Sequence, residues 1–384
     1  MRLALEFDRL TAFRRAVLEC FAMITSRKKE TTRRQFVSRA ALLTGISLGL
    51  NSASGNLVAE TETAFSAYQQ RRRADLWDLL GDLPWQHEPA LPKLVRTEDH
   101  DTYTIERLVL DLNGIEPVPA LLLIPKKLKR PAPGVLFIHW HAGMYGLGKE
   151  QLLKGTSVQP AYAPVFAEMG LVTLAIDSWC FGERQHNNAG HDAAEDAFKA
   201  GHDGEEDAFK LMLWRGQVLW GMMMFDEYRA LSYLASRPEV DPKRLGATGM
   251  SMGSTKTWWL AALDPRVRLA IDICCLTDFD SLIATHGITL HSIFYFVPSL
   301  LKEFSTTAIN ELIVPRPHLS VNGRKDPLTP AQGVEKVRDN LLPLYRQYGR
   351  QEDCRIELFD CAHEETPEMR SLVIDWLRRY LIAS

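Results

Sequence analysis

The segment Leu245-Gly246-Ala247-Thr248-Gly249-Met250-Ser251-Met252-Gly253-Ser254 carries more structural information than any other part of the chain. It has the form Gly-x-Ser-x-Gly, follows a short β-prone run and precedes residues able to start a helix. A serine at a tight strand-to-helix turn must hold a strained backbone. Side chains two positions to either side would collide there, so glycine is needed at both. Such a turn lifts the Ser251 hydroxyl clear of the sheet edge. It also aims the first amides of the next helix at the same spot. The pattern is short, and the strand before it and the helix after it give it weight.

On both sides of this segment, apolar β-prone runs recur at 134–138, 171–176, 245–248, 269–275, 317–321 and 355–359. Helical periodicity lies between them, at 221–236 and 330–348, and after the last, at 367–381. Strands alternating with helices predict an α/β fold: a mostly parallel central sheet covered by helices on both faces. Ligands of such sheets sit beyond the carboxyl ends of the strands, so the loops there are where chemistry is expected. Before this alternation, 103–112 and 118–124 read as a β-hairpin around Asn113-Gly114. A helical stretch over 64–80 is stopped by Gly81 and Pro84.

The chain has 384 residues, 46% hydrophobic and 24% charged, with net charge −3. That length can bury one large core. The mild charge argues against a nucleic-acid-binding footprint, and no apolar run reaches the roughly 18 residues needed to span a bilayer. Thr31-Thr32-Arg33-Arg34-Gln35-Phe36-Val37, the weakly apolar run 40–50 and the small residues Ser52-Ala53-Ser54-Gly55 make an export signal. Paired arginines before Gln-Phe resemble the twin-arginine type, which engages the twin-arginine export machinery and carries folded proteins. Met23 gives such a signal a more usual start than Met1. The expected organisation is 1–55 export signal and upstream extension, 56–101 N-terminal helical arm, and 102–384 catalytic domain, with a periplasmic or secreted destination. Cysteines 180, 274, 275, 354 and 361 lie beyond the signal without CxxC spacing, so neither a zinc site nor a disulfide framework is suggested.

A serine hydroxyl needs a general base within hydrogen-bond reach, and the base needs a carboxylate to orient it. After this kind of turn the order in the chain is serine, acid, histidine, on loops following later strands. Asp326 follows the run 317–321, and His363 follows 355–359. Asp360 is the rival acid, but it shares a loop with His363. The developing negative charge needs two amide donors. Met252 supplies one; the other belongs to the loop His139-Trp140-His141-Ala142-Gly143, from His141 or alternatively Trp140. Nucleophile, base and amides already account for acyl transfer, so no metal and no cofactor are required.

Three further features stand out. Phe181-Gly182-Glu183-Arg184 lies just past a strand end, where it can bind substrate or, through Glu183 or Arg184, brace its loop. The aromatic cluster 286–296 can wall a substrate pocket or fill core under a cap. Trp140, Phe181, Arg184, His286 and Tyr295 are therefore the pocket candidates. Gly190-His191-Asp192-Ala193-Ala194-Glu195-Asp196-Ala197-Phe198-Lys199 is nearly repeated from Gly201 to Lys210, an offset of 11 residues (190 to 201). That period keeps a helix face in register. Metal ligation by His191, Asp192, His202 and Asp203 is conceivable, but a solvated helix or loop near the entrance is the simpler expectation.

Taken together, the serine turn, the His-x-His-x-Gly loop, Asp177-Ser178-Trp179-Cys180-Phe181-Gly182-Glu183-Arg184, the run 237–246 and the late Asp and His resemble the α/β-hydrolases. The branch is similar to dienelactone hydrolases and acetyl xylan esterases, over about residues 100–384. The resemblance implies cofactor-free hydrolysis of a small or sugar-linked carboxylic ester through an acyl-serine. Dienelactone hydrolases proper use a cysteine, so their substrate does not carry over to Ser251. Trp140 also stands where many relatives have glycine. The competing expectations are a peptidase or amidase with the same triad, or a silent binding protein on this fold.

Overall fold

The computed structural model describes residues 53–128, 131–141, 143–185 and 197–383. Residues 67–384 form one compact unit, and the described part of 1–66 is helical. The expected export signal falls almost wholly within 1–52, outside the described residues.

Nine strands form one sheet in the order β1-β2-β3-β5-β4-β6-β7-β8-β9. They are β1 (Lys93–Asp99), β2 (Tyr103–Leu110), β3 (Val118–Pro125), β4 (Ala132–Ile138), β5 (Val172–Ile176), β6 (Val240–Met250), β7 (Val267–Ile273), β8 (His318–Gly323) and β9 (Cys354–Phe359). The pairs from β1 to β3, and β3 with β5, are antiparallel; β5-β4-β6-β7-β8-β9 run parallel. β4 and β8 are buried along their whole length, as the continuous apolar run at 134–138 demands of a strand covered on both faces. The chain leaves β4 toward β5 and returns to pair β6 on the other side of β4. That reversal opens a crevice at the carboxyl ends.

Besides single-turn pieces, the described helices are α1 (Ala53–Asp78), α2 (Ala163–Glu168), α3 (Ala197–Trp214), α4 (Leu219–Ser236), α5 (Met252–Leu263), α6 (Phe279–Ala284), α7 (Thr306–Asn310), α8 (Ala331–Gln347) and α9 (Pro367–Leu377). α5 is buried on every side, sitting directly behind the sheet and under its neighbours. The expected helical arm over 56–101 is corrected in part. α1 ends at Asp78, and Lys93–Asp99 joins the sheet as its exposed edge strand, paired to β2. The alternation signal was hidden there because an edge strand buries neither face. Among the described residues no helix is long and apolar enough to cross a membrane.

Ion pairs, most of them buried, brace the layers beneath the crevice. Lys256 of α5, fully buried, donates to Glu227 of α4 at 2.8 Å and to the Ser178 hydroxyl after β5. Arg184 donates to Glu116 at 2.6 Å and to Asp226 at 2.8 Å. Lys149 donates to Asp177 and to Glu183, each at 2.6 Å. Asp177-Ser178 and Glu183-Arg184 thus hold their loop against four other segments, those of Glu116, Lys149, Asp226 and Lys256.

Candidate active site

β6 ends at Met250, and Ser251 sits at the turn with φ 58° and ψ −117°, before α5 begins at Met252. Its N–H donates to the Ile273 and Cys274 carbonyls of the neighbouring strand end, at 2.9 and 3.0 Å. A left-handed φ on a non-glycine residue stores strain that the surroundings must over-determine. The two glycines make room for it. A Cβ on Gly249 would lie 2.3 Å from the Ile138 carbonyl oxygen, and one on Gly253 would lie 2.1 Å from the same atom. The serine turn therefore presses directly on the end of β4.

His363 and Asp326 come together from the loops after β9 and β8. His363 Nδ1–H donates to Asp326 Oδ2 at 2.6 Å, and the Leu328 N–H donates to Asp326 Oδ1 at 2.9 Å. Asp326 is buried, and its carboxylate fixes the ring so that Nε2 is left as the acceptor. That Nε2 is buried and has no hydrogen-bond partner among the described residues. Ser251 and His363 line one cavity of about 380 Å³ with Met252, His141, Tyr145 and Tyr295. Such a volume suits a small ligand. Asp360 is turned to solvent in an ion pair with Lys325 at 2.9 Å, so it does not compete for the ring.

The loop after β4 treats its two candidate amides differently. The Trp140 N–H is already spent on the side chain of Gln151, at 2.9 Å. The Trp140 carbonyl accepts from Gln151 Nε2 at 2.9 Å and from His139 Nδ1–H at 3.1 Å. Across a trans peptide the following N–H points the opposite way, so the His141 amide faces away from Gln151. It has no acceptor among the described residues. The Met252 N–H, first in α5, has none within the helix. His139 is a structural histidine. Its Nε2 accepts from the Ser178 N–H at 3.0 Å, and burial beside the Lys256 charge pushes its ring down to about 3, so it stays neutral.

Other titratable groups near the serine are held inert. Burial, with the nearby Asp326 charge, pushes the Cys275 thiol up to about 12 and raises Cys274 as well, so neither is a thiolate nucleophile. His291 lines the cavity, but burial lowers its pKa, and its Nε2–H donates to the Leu328 carbonyl at 3.1 Å.

Of the five pocket candidates, Tyr295 lines the cavity. The other four do not. Trp140 is buried in the clamp just described. Phe181 lies behind the wall, its ring 4.9–5.1 Å from those of His139, His141 and Tyr145. Arg184 is a bracing residue held between Glu116 and Asp226, the second of the two roles expected for its loop. His286 is exposed in a left-handed turn, outside the cavity-lining set. The 286–296 cluster does supply part of the wall through Thr289, Leu290, His291, Ser292 and Phe294. Tyr145, Ser292 and Leu328 were missed because no periodicity or motif marks them. The second copy of the repeat is not simply solvated: His202 lines the cavity and Glu205 is fully buried. The first copy reaches only its last residues inside the described chain.

A largely parallel sheet with a glycine-flanked serine at the end of β6, an acid after β8 and a histidine after β9 defines an α/β-hydrolase. The Abhydrolase family model matches residues 20–328, which include Ser251 and Asp326, and the chain belongs to that family. It is 40% identical over 312 residues to "Putative hydrolase YtaP" of Bacillus subtilis (strain 168), covering 81% of this chain and 99% of that one. A structure of a "putative acetyl xylan esterase" from Bacteroides fragilis superposes with TM-score 0.64 at 17% identity, over 86% of this chain and 95% of that one. A glucuronoyl esterase from Solibacter usitatus gives TM-score 0.58 at 14% identity, over 82% and 93%. At those identities the two structures share the fold.

Proposed function

We propose that the protein is an exported serine hydrolase that cleaves a small or sugar-linked carboxylic ester through an acyl-enzyme. The observation that carries the reading is the pairing of His363 with Asp326 at 2.6 Å, with Nε2 unpartnered in the cavity that Ser251 lines. His363 Nε2 takes the Ser251 proton as Oγ attacks the ester carbonyl carbon. The oxygen of the tetrahedral adduct lies between the Met252 and His141 N–H groups, where each donor is worth about 10²–10³ in rate. Collapse expels the alcohol, which receives the proton from His363. Water then repeats the sequence on the acyl-serine, releasing the acid and restoring the hydroxyl. Asp326 orients the ring and stabilises the imidazolium. No step needs a metal or a redox group.

The cavity suits such a substrate in size and lining. Its lining is mixed, with His141, Tyr145, Ser292 and His202 polar and Leu290, Phe294, Tyr295 and Leu328 largely apolar. A short acyl group with a hydroxylated alcohol suits that mixture. Export by the twin-arginine route is supported by the Arg33-Arg34 segment and its apolar follower. Hydrolysis of p-nitrophenyl acetate by the wild-type protein and by Ser251→Ala tests the reading. Loss of nearly all turnover in the variant is expected; equal rates would remove Ser251 from the chemistry. Acetylated sugars should outrun aminoacyl amides on the same enzyme.

A further inference from the structure

The duplicated segment enters the site through one residue of its second copy. Glu205, on α3, has no solvent exposure. Its Oε2 accepts from His141 Nε2–H at 3.2 Å, from the Tyr145 hydroxyl at 3.0 Å and from the Ser292 hydroxyl. One carboxylate oxygen thus joins three segments that line the cavity: the loop after β4, α3 and the stretch at 287–295. The other oxygen has no partner among the described residues, an arrangement that costs stability and calls for a reason. The contact is tight, since a Cβ on Gly201 would lie 2.3 Å from the Tyr145 ring. The first copy carries Ala194 at the equivalent position, so the carboxylate belongs to the second copy alone.

What Glu205 acts on is the His141 ring. His141 Nδ1 accepts from the Gly143 N–H at 3.0 Å, which leaves the proton on Nε2 and points it at Glu205. The ring is therefore held at both nitrogens, by its own loop and by α3. It also stacks on Phe294 with ring centres 5.4 Å apart. The backbone N–H of the same residue is the second oxyanion donor. We propose that Glu205 is a positioning residue for the reaction: through the His141 ring it holds the His141 backbone so that its amide meets the oxyanion. This rests on the ester-hydrolase reading above. Without the carboxylate the ring turns, the loop relaxes, and the donor leaves the place where charge develops. The loss then falls on the transition state rather than on substrate binding.

The test is steady-state hydrolysis of p-nitrophenyl acetate by wild type, Glu205→Ala, His141→Ala and the double variant, all checked for folding by circular dichroism. His141→Ala keeps the backbone amide and removes only the ring. Glu205→Ala is expected to lower kcat about tenfold to a hundredfold with KM within about threefold. Binding of an aryl trifluoromethyl ketone, which forms an oxyanion on the serine, is expected to weaken by the factor lost in kcat/KM. The double variant is expected to lose no more than His141→Ala, because both changes release one ring. Glu205→Gln keeps an acceptor and is expected to restore most of kcat. Glu205→Leu, similar in volume, repeats the measurement should the alanine variant not fold. Additive losses, or a loss confined to KM, would overturn the assignment while leaving the hydrolase reading intact. A wild-type protein without Ser251-dependent turnover would overturn both.

Discussion

Gln151 grips the Trp140 backbone at both polar atoms, accepting from its N–H and donating to its carbonyl, each at 2.9 Å. A side-chain amide carries its donor and its acceptor on separate atoms, so one group can hold both. The grip sets the direction of the next amide, at His141. Gln151→Leu is expected to lower kcat about tenfold or more with little change in KM, since the freed peptide can rotate. Gln151→Glu loses the donor and is expected to fall between leucine and wild type. Steady-state kinetics on a chromogenic ester checks both; a leucine variant with unchanged kcat would detach this clamp from the chemistry.

Crowding at the serine turn gives a stability prediction with an internal control. Alanine at Gly249 or Gly253 places a Cβ 2.3 or 2.1 Å from the Ile138 carbonyl oxygen, a backbone atom that cannot step aside. Each is expected to cost at least about 2 kcal/mol and to abolish turnover. At Gly146 the nearest atom would be the tip of Gln185 at 3.7 Å, so alanine there is expected to stay within about 0.5 kcal/mol of wild type. Urea unfolding of the three variants compares them directly.

Lys256 and Glu227 form a buried pair at 2.8 Å, with burial raising the Glu227 carboxyl. Removing one partner strands the other charge. Lys256→Met alone is expected to cost about 3–5 kcal/mol, and Lys256→Met with Glu227→Leu distinctly less. A double variant as unstable as the sum of the two single ones would mean that the pair is not coupled in this way.

Glu311 sets a pH dependence. Burial pushes its carboxyl up to about 7 from 4.5, opposed by the Arg72 charge. A carboxyl raised in the folded state favours folding most when protonated. Its contribution is complete below pH 4.5 and is lost as pH rises to about 7. Glu311→Gln is therefore expected to stabilise the protein at pH 8, by up to about 2 kcal/mol, and to change little at pH 4. Thermal melts at the two pH values decide it; an equal shift at both would rule out the buried carboxyl as the cause.

The parallel half of the sheet was legible in the sequence, because strands buried on both faces read as unbroken apolar runs between amphipathic helices. Ser251 was marked by its glycine-flanked motif, and Asp326 and His363 by the strands they follow. In the structure His363 meets Asp326 and reaches the cavity that Ser251 lines. The strand Lys93–Asp99 left no such trace, since it is exposed along nearly its whole length and buries neither face. Arg184 could be read from the sequence as bracing its loop or as binding substrate, and the structure shows the brace. A buried arginine between two carboxylates and a substrate-binding arginine share the same local sequence, and only the partners Glu116 and Asp226, far away in the chain, tell them apart. Gln151 and Glu205 were invisible for the same reason, as their meaning lies in contacts 11 and 64 residues distant.

Everything proposed for the chemistry depends on Ser251 being the nucleophile, and covalent capture reads that out without a choice of substrate. Intact mass spectrometry after treatment with a fluorophosphonate is expected to show one adduct per chain, mapping to the peptide that contains Ser251 and absent from folded Ser251→Ala. A folded wild-type protein that takes up no label, or one labelled at another residue, would contradict the assignment.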